Sequence, residues 1–396
     1  MQSERQNVIV WSGFMLNPSE TFIRNQALAM RRFEPRFAGV RYSKDSLLKR
    51  EECTLVNGGG PVGALREALF KVVAVPPSFR RTLARLRPAL IHAHHGVNGA
   101  LSLPLARALR VPLVVTFHGA DATVVKPPEH YSLAHRAFRY RVEQLKEGVA
   151  FFTADSAFIK SKLVDRGYPE HKIVVHHVGV DLARFKANPA VAREPIALFV
   201  GRLAEKKGIP YLIRAMQRVQ QRLPHVKVVI IGDGPMKAEL HALAAEKLKS
   251  YEFLGLQPSA VVQQWMNRAT VLAVPSVTAS NGDCEGLPTV IQEGMAMGVP
   301  IVATRHAGNC EAITEGESGL TTEERDVEAL ASHVTRLCTD AGLWSRISVN
   351  ARRAVEANLD IRKQTGKLEA LYERILSQRP VDAAAATRDR LMAIAS

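Results

Sequence analysis

Cysteine is scarce in this chain. The four that occur among 396 residues, Cys53, Cys284, Cys310 and Cys338, show no metal-ligand spacing and are too few to scaffold a chain of this length. Reduced thiols in a cytoplasm are the expected state. Aromatic residues make up only 6%. No recognition helix, RNP-like strand or basic-aromatic ladder is present, so nucleic acid is not the expected partner. No apolar run approaches the length of a membrane-spanning helix. The opening MQSERQNVIVW is polar and then strand-like, without an apolar core of signal-peptide length. What these absences leave is a cytoplasmic globular protein. Its 396 residues exceed one comfortable core and predict two domains.

Positive charge, by contrast, is abundant and unevenly placed. The net charge is +15; residues 1–180 carry 26 Lys/Arg against 14 Asp/Glu, or +12, and the remainder 27 against 24, or +3. Such asymmetry points to an anionic partner, a phospholipid surface or a lipid pyrophosphate. Pro61–Val75 places Val62, Leu65, Leu69, Val72 and Val73 on one helical face, with Arg66, Glu67 and Lys71 elsewhere. Arg80, Arg81, Arg85 and Arg87 follow on a second short amphipathic stretch. This is the pattern of an interfacial helix with a basic rim, peripheral on the inner face of the plasma membrane. An ordinary helix packing its stripe on its own domain fits the same residues.

Short apolar strands alternate with helical stretches throughout. In the first half strands are predicted at Val8–Gly13, Arg36–Val40, Leu90–His94, Leu113–His118, Val149–Ala154 and Ile173–His177. In the second they fall at Ile196–Val200, Val226–Ile231, Tyr251–Leu254, Val271–Val274 and Ile301–Thr304. Two successive series of strand–helix units predict an α/β protein with two doubly wound, Rossmann-like parallel-sheet domains. The joint falls in Ala183–Pro195, polar and containing two prolines. From Val327 onward the pattern is helical, broken at Leu359-Asp360-Ile361 and resumed over Lys367–Ser377; Ala383–Ala386 is the only low-complexity tract.

Chemistry concentrates in Val271–Gly298: a buried strand, a Gly/Asn/Asp-rich loop, then a helix with Pro288 suited to its first position. The amides of Gly286 and Leu287 would offer an anion the positive end of that helix. Glu285 and Glu293 are too far apart to share a helical turn, so each can hold a different part of one elongated ligand. A nucleotide-sugar diphosphate fits. Arg202 and Lys207, in the loop after the strand at Ile196, can neutralise its diphosphate. Gly232-Asp233-Gly234-Pro235 lacks the third glycine of a dinucleotide fingerprint, having Lys237 there, and reads instead as a tight turn that lets a ligand near the backbone. Ser12-Gly13, closing the first strand, would let a loop approach the diphosphate. His118 before Gly119 can donate to a sugar hydroxyl or a phosphate, with Asp121 orienting that neighbourhood. His92, His94 and His95 have the spacing of metal ligands, yet no carboxylate or cysteine completes a set. Asp283 and Glu285 could hold a divalent ion, which the two cations would make redundant. No metal and no cofactor beyond the donor are expected.

Taken together these residues resemble the retaining glycosyltransferases of family 4, built on the GT-B fold of two facing Rossmann-like domains with an interdomain cleft. The matching pieces run in family order: Gly13, HGAD from His118, GVDLARF from Gly179, GRLAEKKG from Gly201, GDGP from Gly232 and EGLPTVIQE from Glu285. Val178 departs from the pattern at a position that is often polar. SETFI at Ser19–Ile23 is similar to a bacterial branch that builds exopolysaccharide, colanic-acid-like or lipopolysaccharide chains. The resemblance implies an acceptor-side domain over 1–185, a nucleotide-sugar domain over 186–360 and a helix in 361–396 crossing back to the first. It implies that Glu293 binds ribose and that Glu285, with the amides of Gly286 and Leu287, holds the transferred sugar. Arg202 and Lys207 would bind diphosphate with Gly13 near it, and His118 would touch the sugar or its phosphate.

The expected reaction moves a hexosyl group from a UDP- or GDP-sugar to a saccharide acceptor carried on lipid. Its difficulty is the charge of the departing diphosphate, which preordered cations and a helix N-terminus stabilise. No acid in these motifs is placed as a covalent nucleophile, so same-face attack is expected, the leaving phosphate taking the acceptor's proton. Rival readings are a nucleotide-sugar epimerase or a phosphorylase on the same architecture, and a non-catalytic nucleotide-sugar-binding protein.

Overall fold

The computed structural model describes residues 5–72, 75–124 and 132–378. Two sheets organise it. The first contains β1 (Gln6–Met15), β2 (Phe33–Tyr42), β3 (Cys53–Leu55), β4 (Pro88–His94), β5 (Leu113–Phe117), β6 (Phe151–Ala154) and β7 (Ile173–Val175), in the order β3-β2-β1-β4-β5-β6-β7. The second contains β8 (Glu194–Val200), β9 (Lys227–Ile231), β10 (Tyr251–Gly255), β11 (Ala269–Val274), β12 (Ile301–Thr304) and β13 (Leu320–Thr322), in the order β10-β9-β8-β11-β12-β13. Every neighbouring pair is parallel. Parallel strands need crossovers, and the helices that supply them cover both faces. That is why Val8–Trp11 and Leu90–Ala93 are buried without alternation. Strand order reverses between β1 and β4, and again between β8 and β11. Those two reversals open crevices at the strands' carboxyl ends, where such sheets take ligands.

Each sheet has its own core. Trp11, Ile91, Val115 and Phe152 anchor one face of the first, and Phe199, Val228, Val271 and Val302 one face of the second. The last described helix, Ile361–Ser377, belongs by packing to the first sheet: Leu368, Leu371, Tyr372 and Ile375 cover Val8, Leu90 and Val114. It starts where the chain crosses itself. The amide of Val180 donates to Leu359 O at 2.8 Å, and that of Ile361 to Val180 O at 3.0 Å. Gly179 makes the crossing possible, with φ at 84° and a Cβ position only 2.9 Å from Ile361 Cα.

Several local expectations are revised. β1 does not end at Gly13 but continues through Met15, paired with β2 to Tyr42. Two strands, β3 and β13, were not foreseen; both are three-residue edges. Pro288 is the residue before the helix Thr289–Ala296, and its carbonyl accepts the first bond, from Ile291 N at 3.1 Å. The stripe on the helix Gly60–Val72 is not a packing face. Gly63, Glu67 and Phe70 are buried, whereas Val62, Leu65, Leu69 and Val72 are 62, 61, 47 and 58% exposed. Val73 and the Ala383–Ala386 tract lie outside the described residues.

Candidate active site between the two sheets

The loop after β8 and the loop after β11 build one wall. Gly208 ends a turn so close to Pro275 that a Cβ would stand 1.8 Å from its carbonyl oxygen, and Val277 N donates to Lys206 O at 2.8 Å. The two lysines thereby enter the second loop side by side. Lys206 Nζ donates to Asp283 Oδ1 at 3.0 Å and to Cys284 O at 3.3 Å. Lys207 Nζ forms an ion pair with Glu285 Oε1 at 2.9 Å. Burial pushes the Glu285 carboxyl up, but Lys207 and Lys206 outweigh it and hold the group below its ordinary range. Glu285 is therefore an anion at neutral pH.

A buried relay fixes its backbone. Glu285 N donates to His306 Nε2 at 3.1 Å, and the ring's other nitrogen lies 2.6 Å from Glu324 Oε1. Accepting at Nε2 places the proton on Nδ1, where Glu324 receives it. Gly232 and Gly234 act one layer back. Added Cβ atoms would meet Gly201 O at 1.8 Å and Leu203 O at 2.5 Å, so what these glycines admit is the backbone of the Arg202 loop. Leu203 N donates to Asp233 O at 2.9 Å, locking the turn to it. Arg202 is exposed; its carbonyl accepts from Ala204 N at 2.9 Å, and among the described residues its guanidinium makes no hydrogen bond or ion pair.

Glu293 faces a different part of the gap. It lines a small cavity with Thr21, Phe22, Asn25, Val180, Phe185 and Thr289. Its surface is not wholly closed to solvent, yet burial raises its pKa to about 7, with Arg184 only partly offsetting. Lys207 and Glu285 are thus brought into contact, Arg202 stands on the rim, and Glu293 sits apart from both.

The first sheet supplies the opposite wall. His118, after β5, lies 3.0 Å through Nε2 from His94 Nδ1 and 3.7 Å through Nδ1 from Asp155 Oδ2. Burial, then His95, lowers its pKa to about 3, so the ring is neutral. Asp121 accepts from the amides of Gly96, His118 and Gly119 at 3.0, 3.2 and 3.1 Å. Burial opposes its charge, but His95 and these amides win and lower it to about 2. His95 is the converse: burial lowers it, Asp121 and Glu20 overcome that, and it rises to about 10. The carboxylate of Asp121 is thus committed to backbone and to His95, orienting the His118 turn. His92 is used on both nitrogens, by Tyr372 Oη and Thr116 Oγ1 at 2.6 Å each. Among the described residues no group of three or more His, Cys, Asp or Glu is arranged to hold a metal ion. Gly13, inside β1, packs on Asn98, whose Oδ1 would lie 2.6 Å from a Cβ there.

Contacts across the gap bind the walls together, and sequence reasoning gave Thr123, Asp155, His177 and Glu311 no role in them. Thr123 Oγ1 accepts from Cys284 N at 3.0 Å. The Gly286 backbone packs on the Asp155 carboxyl, so closely that a Cβ there would stand 2.1 Å from Oδ2. Glu311 accepts from Ala157 N and Phe158 N at 2.9 and 3.2 Å, and its Oε2 lies 3.0 Å from His177 Nε2. A carboxylate after β12 therefore caps a helix, Ala157–Asp165, that follows β6. The arrangement offers a cationic pair, an ionised carboxylate and a helix N-terminus around one gap, with neutral histidine opposite. It suits stabilisation of a phosphate leaving group beside a polyhydroxylated ring.

Known proteins share both sequence and fold. Residues 20–184 match the model of Glycosyltransferase Family 4, and residues 194–340 that of Glycosyl transferases group 1. An amylovoran biosynthesis glycosyltransferase of Erwinia amylovora is 30% identical over 288 residues, which cover 71% of this chain and 69% of that protein. A GDP-mannose-dependent α-(1-6)-phosphatidylinositol monomannoside mannosyltransferase of Mycolicibacterium smegmatis is 31% identical over 286 residues, or 69% and 73% of the two chains. The fold is similar to that of Anabaena HepE solved with UDP-glucose, at a TM-score of 0.76 and 20% identity, covering 93% of this chain and all of that one.

Proposed function

The chain belongs to glycosyltransferase family 4, and from that premise we propose that it moves a hexosyl group from a UDP- or GDP-sugar to a lipid-linked saccharide during cell-surface polysaccharide synthesis. One observation carries the donor assignment. Lys206 and Lys207, paired with Asp283 and Glu285, stand just ahead of the amino end of the helix Thr289–Ala296, so two cations and a helix end are at hand where a diphosphate would lie. Arg202, exposed on the rim, is free to close over the phosphates beside Lys207. Glu293 takes the ribose hydroxyls, Glu285 with Gly286 and Leu287 the transferred sugar, and His118 its ring or phosphate. Gly13 keeps the opposite wall slim, while Gly232 and Gly234 hold the Arg202 loop in place.

The chemistry follows from that charge placement. As the bond from the anomeric carbon to the phosphate oxygen breaks, negative charge grows on the diphosphate and the cations stabilise it. The acceptor oxygen bonds the same face of that carbon, and its proton passes to the leaving phosphate. Glu285 is held in an ion pair rather than aimed as a nucleophile, which favours this route and retention of configuration. The Erwinia relative works in amylovoran biosynthesis, and the Mycolicibacterium relative is a GDP-mannose-dependent phosphatidylinositol monomannoside mannosyltransferase. A lipid-borne acceptor also accounts for the exposed apolar stripe on Gly60–Val72 and the exposed Arg66, Arg80, Arg81, Arg85 and Arg87 near it, which suit an anionic membrane surface. No described helix is long and apolar enough to cross a membrane.

A thermal-shift panel of UDP, GDP, ADP and their sugars tests the donor reading, because a ligand of the native state raises the melting temperature by mass action. A rise with uridine or guanosine diphosphates, larger with their sugars, is expected; none at millimolar ligand would exclude it. An inverted anomer in the product would reject the same-face route.

A further inference from the structure

β7 is the free edge of the first sheet, and beyond it the chain runs through His176, His177 and Val178 into the crossing at Gly179. Alongside lies the returning helix, Ile361–Ser377. Its Gln364, Lys367, Leu368 and Leu371, spaced to share one helical face, line a cavity of about 300 Å³. Val174, Val175, His176 and His177 form the facing wall. That volume is the lower end of the range that holds a small-molecule ligand. The cavity shares no lining residue with the one at Glu293.

Its polar lining is rich in donors. Lys367 Nζ makes no hydrogen bond or ion pair among the described residues. Gln364 Nε2 gives one hydrogen to Asn358 O and keeps a second. His176 is only 6% exposed, and its Nε2 accepts from Gln26 Nε2 at 3.1 Å. Burial, then His177 and Lys367, lower its pKa to about 3, so the ring is neutral and its proton sits on Nδ1. Among the described residues nothing accepts from that Nδ1, and a buried donor without a partner is costly. No carboxylate lines the cavity, and Val174, Val175, Leu368 and Leu371 make the rest of its wall apolar.

We infer that this cavity binds a small organic anion, a carboxylate or phosphate on a compact apolar body, held by Lys367 from the helix and by His176 from the strand. The inference stands independently of the donor assignment. An occupant touches both the strand that leaves the first lobe and the helix that returns to it. It therefore fastens the crossing, where the amides of Val180 and Ile361 bond to Leu359 O and Val180 O. It also sits beside His177, whose Nε2 lies 3.0 Å from Glu311 Oε2 of the second lobe. A ligand here is placed to bias how the two lobes associate.

The test is calorimetric titration of the full chain with phenyl phosphate and benzoate. Benzyl alcohol supplies the apolar body alone and inorganic phosphate the charge alone. Both organic anions should bind, and each control roughly ten- to a hundredfold more weakly, for want of a charge-assisted hydrogen bond or of a buried ring. Lys367→Glu, at an exposed position, should cost a similar factor. Val175→Trp, where the native residue is 37% exposed, should fill the cavity and abolish binding without unfolding the chain. Hydrogen exchange at the Val180 and Ile361 amides should slow severalfold with phenyl phosphate bound. No binding of either organic anion at millimolar concentration would overturn the site. So would binding that UDP displaces and Lys367→Glu leaves intact, which would put the anion in the interlobe gap instead. Equal affinity for benzyl alcohol would overturn the choice of an anion, and binding with unchanged exchange at both amides would overturn the link to the crossing.

Discussion

Lys207 and Glu285 meet across 2.9 Å, each largely buried, and each is the other's charge partner. Removing one leaves the other's charge in a poorly solvated place, which costs more than the pair contributes. Lys207→Met should therefore lower stability by about 1–3 kcal/mol in urea titration, with Lys206 limiting the damage. Lys207→Met with Glu285→Gln should recover most of that stability. Transfer should stay depressed in both, by a factor of about 100 or more in kcat/KM. A double variant no more stable than the single would show that the two side chains are not coupled.

Glu293 titrates near pH 7 in the folded chain, against an ordinary carboxyl value of 4.5. Its folded-state pKa is raised, so its contribution favours folding at low pH and is lost as pH climbs from about 4.5 to 7. Ligand binding should run the other way, because the ionised carboxylate is the stronger acceptor for ribose hydroxyls. Donor affinity should rise between pH 6 and pH 8, by roughly three- to tenfold. Glu293→Gln should bind more weakly at pH 8 and show a flat profile. A wild-type profile equally flat would remove Glu293 from the ribose site.

Glu311 caps the helix Ala157–Asp165 from the opposite lobe. Glu311→Ala removes acceptors from two helix-end amides and a partner from His177, at a cost of about 0.5–2 kcal/mol. The loss should appear as a looser association of the lobes. Small-angle scattering should give a larger radius of gyration for the variant, and added donor should restore the wild-type value. An unchanged radius would mean that other contacts hold the gap closed.

The stripe on Gly60–Val72 gives a fourth expectation. Leu65→Asp with Leu69→Asp should leave the melting temperature within about 2 °C, since both side chains are exposed. The wild type should float with vesicles containing phosphatidylglycerol and not with purely zwitterionic ones. The double variant should lose that flotation, as should Arg80→Glu with Arg81→Glu. Wild-type protein that ignores both vesicle types would dismiss the membrane surface.

Strands with a run of apolar residues, such as Val8–Trp11 or Val228–Ile231, were readable because both faces of each sheet are covered. The strands β3 and β13 were not, for Cys53-Thr54-Leu55 and Leu320-Thr321-Thr322 are too short and mixed to carry a period. At the site, residues acting within one loop were legible: Lys207, Glu285 and Gly286 all follow strands. Their supporting partners were not. Asp155 meets Gly286 only because the ends of β6 and of the loop after β11 face one another. Glu311 meets Ala157 from 154 positions away. His306 and Glu324 matter only because β12 and the turn after β13 fold beside Glu285. The glycines at 232 and 234 looked like ligand contacts because a close backbone approach leaves the same mark whether the visitor is a phosphate or a neighbouring loop.

The placement of Leu368, Leu371 and Tyr372 over Val8, Leu90 and Val114 sets an order of events during synthesis. The first lobe leaves the ribosome before the second, yet one side of its sheet stays bare until the second sheet has been made as well. Translated before its neighbour, it is completed after it. In the interval that uncovered surface is the region most exposed to chaperones or to aggregation.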